Sequence, residues 1–207
     1  MASKLCETWK MDAQTLYSRS GRIMASAGFV FALFGITALA IDSWLLVATK
    51  SWVYIWFAYF AWLLFWNPSV KVSEEGVVVD NIFKTHKLNW SAITRIDTKY
   101  SLTLETKDRT IQAFGAPAPS RYAGFMANKT EAEHLPESSF VGKGLVRPGD
   151  LTSSDSGVAA YIIRSHWEKL RDLNKLNDVA SVKSNWVLWR IAVFVCLSVA
   201  AVASFTF

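Results

Sequence analysis

Two kinds of hydrophobic pattern divide the chain: continuous apolar runs toward both ends, and a middle stretch in which apolar and polar positions alternate. Ile23 to Ile41 is nineteen residues without a charge. At about 1.5 Å per residue this run spans roughly 28 Å, close to the hydrocarbon thickness of a bilayer, and it predicts a transmembrane helix. Trp52 to Trp66 is fifteen uncharged residues, nine of them aromatic, and reaches spanning length with help from Ser51 and Asn67 or from Trp44 to Thr49. A helix packed inside a soluble core is the competing reading of that run. Trp186 to Phe207 is the third apolar stretch; Arg190 lies one turn in, where its long stem can snorkel to the headgroups. A cleaved signal peptide competes for the first run, since Lys4, Lys10, Arg19 and Arg22 precede it. The run exceeds the usual signal core, however, and a second apolar run follows at once, so it reads as an anchor.

Ahead of the first run, Leu5, Trp9, Ala13, Leu16 and Tyr17 recur at helical spacing. Residues 1–22 therefore predict an amphipathic tail lying in the interface. From Val70 the period shortens to two. Val70 to Ser73 and Val77 to Asp80, joined by Glu74-Glu75-Gly76, predict a β-hairpin. Asn81 to Lys84 is read as a second turn, and Thr85 to Trp90, Ile93 to Thr98, Ser101 to Thr106 and Thr110 to Phe114 continue a meander. Six short strands predict a strongly bent antiparallel sheet whose open end needs a cover. Asp155 to Asn177 supplies one: Val158, Tyr161, Ile162, Trp167, Leu170, Leu173 and Leu176 recur at three to five, with Arg164, Lys169, Arg171 and Lys175 between them. This predicts an amphipathic helix with Asp155 as N-cap and Trp167 as plug. The Gly-, Pro- and Ser-rich stretch 115–154 reads as a long loop. The resulting domains are a tail over 1–22, a two-helix membrane hairpin over 23–67, a β-domain over 68–180 and a C-terminal membrane helix over 186–207.

Composition agrees with the membrane reading. The 207 residues are 52% hydrophobic and only 19% charged, with a mean hydropathy of +0.21, whereas soluble globular chains carry about 25% charge. Four Lys/Arg in the tail oppose Glu7 and Asp12, while the connection between the first two runs carries only Asp42 and Lys50. The basic side stays inside, so the tail and the β-domain are expected to be cytoplasmic and the C-terminus outside, in a multi-pass plasma-membrane protein.

Catalytic signatures are missing. His86, His134 and His166 are 48 and 32 residues apart, and Cys6 and Cys196 lie far apart at opposite ends, so no metal, haem or disulfide pattern forms. No nucleophile elbow, Walker loop or dinucleotide-type glycine run is present. The expectation is a chain that is not an enzyme, has no cofactor and does not bind nucleic acid. Interaction residues are easier to name. Trp52, Trp56, Tyr59 and Trp66 cover nearly every face of the second run, more than interfacial belts need, and offer contact to lipid or a larger membrane protein. In the first run Ala25, Gly28, Ala32 and Gly35 make a small-residue surface for close helix docking.

Val-Ser-Glu-Glu-Gly-Val-Val-Val at Val72 to Val79, Leu88-Asn89-Trp90-Ser91-Ala92-Ile93, Leu-Thr-Leu-Glu at Leu102 to Glu105 and Ala113-Phe114-Gly115-Ala116-Pro117 follow a membrane hairpin in order. In this the chain resembles small actinobacterial membrane proteins that carry a bacterial pleckstrin-homology (PH-like) domain. The resemblance implies two orthogonal sheets closed by one C-terminal helix, and a non-catalytic accessory or scaffold subunit of a larger membrane complex. It names the actinobacterial respiratory cytochrome bc–oxidase supercomplex as host. The alternative is an independent lipid-binding module. PH domains that read phosphoinositides use basic residues in the loop between their first two strands. Here that loop holds Glu74 and Glu75, which repel a phosphorylated headgroup. Lys84, His86 and Lys87, read as part of the next turn, are the remaining basic candidates for anionic lipid, at about 1 kcal/mol per charge near the surface, together with Arg190.

Overall fold

The computed structural model describes residues 13–119, 140–141, 145–146, 148–150, 154–176 and 179–206. Helix α1 (Arg19–Asp42) opens on Ser18, whose Oγ accepts from the Gly21 amide at 2.9 Å. Ser43 then ends one helix and begins the next: its N–H donates to the Leu39 carbonyl, and its Oγ accepts from the Leu45 amide to start α2 (Trp44–Ala61). One residue between two helices folds them back as a hairpin. The face of α1 turned to α2 is Gly21, Ala25, Gly28, Ala32 and Gly35. Small side chains there let the backbones meet: a Cβ on Gly35 would lie 2.0 Å from the Tyr54 ring, and one on Gly28 2.8 Å from the Ala61 Cβ. The small-residue surface read from the sequence thus docks α1 on its own neighbour.

A π-helical turn, Trp62–Trp66, carries α2 into the β-domain. There β2 (Ser69–Ser73), β3 (Gly76–Asp80) and β4 (Lys84–Asn89) form the meander, followed by β5 (Arg95–Asp97), β6 (Ser101–Glu105) and β7 (Thr110–Pro117). Gly76 holds φ at +149°, and a Cβ on it would meet the Leu88 carbonyl at 2.0 Å. The turn therefore requires glycine. Lys84, read above as the end of a turn, opens β4, and His86 and Lys87, also offered as turn residues for lipid, lie within the strand expected from Thr85, because β4 is paired on both sides.

Two strands come from outside the predicted domain. The tail does not form an amphipathic helix ahead of α1: Gln14–Tyr17 is strand β1, antiparallel to β2 with Leu16 opposite Val70 and packed on the core, and Arg19 to Arg22 already belong to α1. Four residues are too few to separate a period of two from one of 3.6, and the open edge of β2 decides. Residues 1–12 lie outside the described part. At the other end, Val182–Trp186 is strand β10 beside β4, so Trp186 finishes a strand and helix α4 begins only at Leu188 (Leu188–Ala203). The first sheet has the order β1-β2-β3-β4-β10, the second β5-β6-β7.

Helix α3 (Asp155–Asp172) covers the open end, with a corrected face. Its N-cap is Ser154, whose Oγ accepts from the Gly157 amide, and Asp155 is the first helical residue. The residues sealed into the core are Ala159, Ala160 and Ile163, with Trp167 only partly buried beside them. Tyr161 and Leu173 are exposed. Alanines carry a weak apolar signal, so the expected stripe missed them, while its Ile162, Leu170 and Leu176 do pack, partly buried, against the core. Arg164, expected on the solvent face, is buried and paired with Asp150, which also accepts from Thr98 Oγ1 at 2.6 Å. Within the long loop, Phe140–Val141 (β8) and Leu145–Val146 (β9) form a small hairpin. Residues 120–139 of that loop lie outside the described part.

Candidate membrane interface

All chain passages between helices and β-domain occur at one end of the first sheet. Tyr17, the end of β1, precedes α1; Ser69, the start of β2, follows the π-helical turn; Trp186, the end of β10, precedes α4. The register places Tyr17 beside Ser69, Ser69 beside Asp80, and Asp80 beside Thr85. This row is the base of the domain. β7 is tied along it: Asn81 Nδ2 donates to the Gln112 carbonyl at 2.7 Å, the Phe114 amide donates to Asn81 Oδ1 at 3.0 Å, and Gly115 abuts Pro68 and Ser69.

Two carboxylates fasten the base to the helices. Asp155 Oδ2 accepts from Ser18 Oγ and from the Arg19 amide, each at 2.9 Å. It thereby sits at the first turns of α1 and α3 together, where both sets of unpaired amides favour an anion. Asp80 takes a two-pronged grip from Arg190, Nη2 to Oδ2 at 3.0 Å and Nη1 to Oδ1 at 3.1 Å, and Arg190 Nη1 also donates to the Asn81 carbonyl at 2.9 Å. A bidentate guanidinium fixes orientation as well as charge. This overturns the snorkelling role. Arg190 is 7% exposed and points back into the domain, because a carboxylate and a carbonyl lie nearer than water.

The second seam joins α2 to α4. Trp56 Nε1 donates to Ser198 Oγ at 2.9 Å, Tyr59 Oη to the Arg190 carbonyl at 3.1 Å, and Lys50 Nζ to the Ser204 carbonyl at 2.6 Å. The last contact places a cation at the C-terminal end of α4, where its dipole is negative. Trp56 stacks on Phe60 and leans on Phe194, and Tyr59 stacks on Trp62, which meets Trp189. Much of the α2 aromatic surface offered above to partners is therefore spent inside the chain. Trp52 and Trp66 keep exposed surface; Trp66 packs on Phe29 and lies 5.4 Å from the Arg22 guanidinium.

Cations lie over aromatic rings around the base. Arg22 is 4.1 Å from the Tyr17 ring centre, Lys84 is 3.9 Å from that of Trp186, and Arg190 is 5.6 Å from that of Trp189. Aromatic rings with basic partners suit the water–lipid boundary, where one side of the pair is wet. Beyond this belt the helices turn apolar side chains outward: Ile23, Phe31, Phe34 and Ile41 on α1, and Leu188, Val195 and Val199 on α4. Among the described residues one helix, α1, is long and apolar enough to cross a membrane, and α4 is a shorter apolar helix.

Of the basic candidates, Lys84 is engaged by Trp186 while Lys87 is exposed on the outer side of the sheet. His86 faces Ser184, Nδ1 to Oγ 2.7 Å; burial, then Lys84 and Arg109, push its pKa below the ordinary value. His166 lies 4.6 Å from the Trp90 ring, and burial, then Lys169, lower its pKa, with Glu74 opposing. Glu74 and Glu75 are exposed on the β2–β3 turn, as the sequence placed them. Among the described residues no group of three His, Cys, Asp or Glu could hold a metal. The pair of fastening carboxylates leaves no signature along the chain: Asp80 and Asp155 lie 110 and 137 residues from their partners Arg190 and Ser18.

A family model described as "Bacterial PH domain" matches residues 67–127, which takes in β2 to β7. Two antiparallel sheets with α3 across their open end are consistent with a PH-like fold. No curated protein matches the chain, and no solved structure does.

Proposed function

We propose that this chain is a non-catalytic membrane scaffold: a PH-like interaction module held against the inner face of the plasma membrane by three helices, α1, α2 and α4. A bacterial PH domain is a lipid- or protein-interaction module, and nothing about the base suggests bond-making chemistry. The observation that carries the reading is the coincidence of two features at one level. The outward faces of α1 and α4 are apolar up to the belt of cations over rings, and beyond that belt the chain becomes a polar-surfaced β-domain. In water such faces cost about 25 cal/mol per Å² of exposed apolar surface. Lipid removes that cost.

The three-span topology rests on the packing of α4 along α2, since α4 by itself is 16 residues, roughly 24 Å. The proposed orientation keeps the N-terminus and β-domain cytoplasmic and the C-terminus outside, following the basic tail. The partner is an integral membrane complex or the lipid around it. Its finer identity, the actinobacterial respiratory cytochrome bc–oxidase supercomplex, is supported by the resemblance alone. Extraction of the full chain from membranes tests the anchor: it should resist high salt and alkali and yield only to detergent, and release by salt would overturn it. Purification in mild detergent with mass spectrometry tests the partner. Recovery with a stoichiometric membrane complex supports the scaffold, and a chain that always runs alone counts against it.

A further inference from the structure

On the outer face of the first sheet, the strand register sets Lys71 beside Val78, Val78 beside Lys87, and Lys87 beside Lys183. Three lysines therefore stand in one cross-strand row, all exposed, with Lys87 and Lys183 directly opposite each other. Like charges directly opposite on a sheet destabilise it. Among the described residues none of the three forms an ion pair. The one carboxylate in the neighbouring row below is Asp80, already held by Arg190 and by Thr85 Oγ1. The neighbouring positions above are Ser73, Gly76 and Asn89, which are uncharged.

The row also has a definite height. Each lysine lies two residues from the base: Lys71 from Ser69, Lys87 from Thr85, Lys183 from Asn185. At about 3.3 Å per residue the row runs across the strands no more than roughly 7 Å above the base, within a lysine stem's reach and inside the Debye length of about 8 Å at physiological salt. Points at equal height suit a plane rather than a pocket. We infer that the Lys71–Lys87–Lys183 row is a seat for the anionic headgroup layer of the bilayer in which the helices stand, setting how the domain leans on the membrane. This rests on the membrane reading above. It assigns the charge contact to the outer face of the sheet, away from the acidic β2–β3 turn.

The test uses the full chain with Cys6→Ser and Cys196→Ser, a single Val78→Cys carrying an environment-sensitive fluorophore within the row, and nanodiscs that contain headgroup-quencher lipid. Quenching should be at least about twofold stronger in discs with one third phosphatidylglycerol than in pure phosphatidylcholine, and should fade between about 50 and 500 mM salt. Adding Lys71→Gln, Lys87→Gln and Lys183→Gln should erase the difference. Equal quenching in both discs, or a difference that survives the triple change, overturns the proposal. So does quenching indifferent to lipid charge but altered by an added polyglutamate peptide, which would make the row's partner an acidic protein segment. A parallel label at Phe31→Cys on α1, read with chain-quencher lipid, separates the two claims. If it is quenched and position 78 shows no lipid dependence, only the seat fails; if it is not quenched, the membrane reading fails.

Discussion

Arg164 and Arg190 both lie on helices and both end beside an aspartate, yet the two pairs do different jobs. Arg164 and Asp150 have side chains 4% and 1% exposed, and the guanidinium also donates to the Ile96 carbonyl at 2.9 Å, so the pair joins α3, β5 and the returning loop inside one domain. Arg190 and Asp80 are 9% and 19% exposed and join helix α4 to the β-domain. The domain closes on a buried charge it must keep paired, whereas its attachment to the helices uses a charge pair that water still reaches.

The largest break in that comparison is Arg164→Met. It strands Asp150 without its cation in a dry site and should destabilise the domain by about 3–5 kcal/mol, read by denaturant unfolding of the full chain in detergent. Adding Asp150→Leu should restore much of the loss, because removing both charges also removes the desolvation cost; a double variant no better than the single would show that the pair itself is needed. Arg190→Met should cost less, about 2 kcal/mol, since Asp80 keeps Thr85 Oγ1 and partial solvation. Its signature is separation rather than unfolding: faster protease cleavage near Val187 with the domain's own denaturation midpoint unchanged. If that midpoint falls as far as in Arg164→Met, the two pairs are not distinct.

Asp155→Ala removes the anion shared by two helix starts and should cost about 1 kcal/mol, while Asp155→Asn, which keeps an acceptor, should lose less. The smallest effect is in pH. With the folded pKa of His166 below its ordinary value of 6.5, the unfolded chain takes up protons first as pH falls. The stability linked to neutral His166 is thus complete above 6.5 and is lost as pH drops through the folded pKa. His86 acts in the same direction. Melting temperatures from pH 7.5 to 5.5 should fall, and less steeply in His166→Gln; a rise on acidification would sink this reading.

The meander from Val70 to Phe114 was legible because its segments are β-branched or alternating and its turns are marked by Gly76 and by Lys107-Asp108-Arg109, whereas Gly115 to Pro117, read as the start of the loop, extend β7. Helix α1 and its small-residue face were legible through a single dominant period. β1 and β10 were not. Gln14–Tyr17 is too short to show a period, and Val182–Trp186 runs into an apolar stretch that reads as helix from composition. Both became strands because β2 and β4 leave edges whose backbone groups need partners. Arg164 and Arg190 misread for a related reason: pattern counts a charge as outward, and only the fold can bring a carboxylate to meet it.

By itself the sequence determined where the apolar runs lie and where the chain alternates as a sheet. These are properties of neighbours along the chain. The tertiary structure decided which flanking segments complete the sheet, which aspartates hold the helices to it, and that three lysines from 71 to 183 fall into one row, because each of those facts joins residues that meet only once strands and helices are brought together.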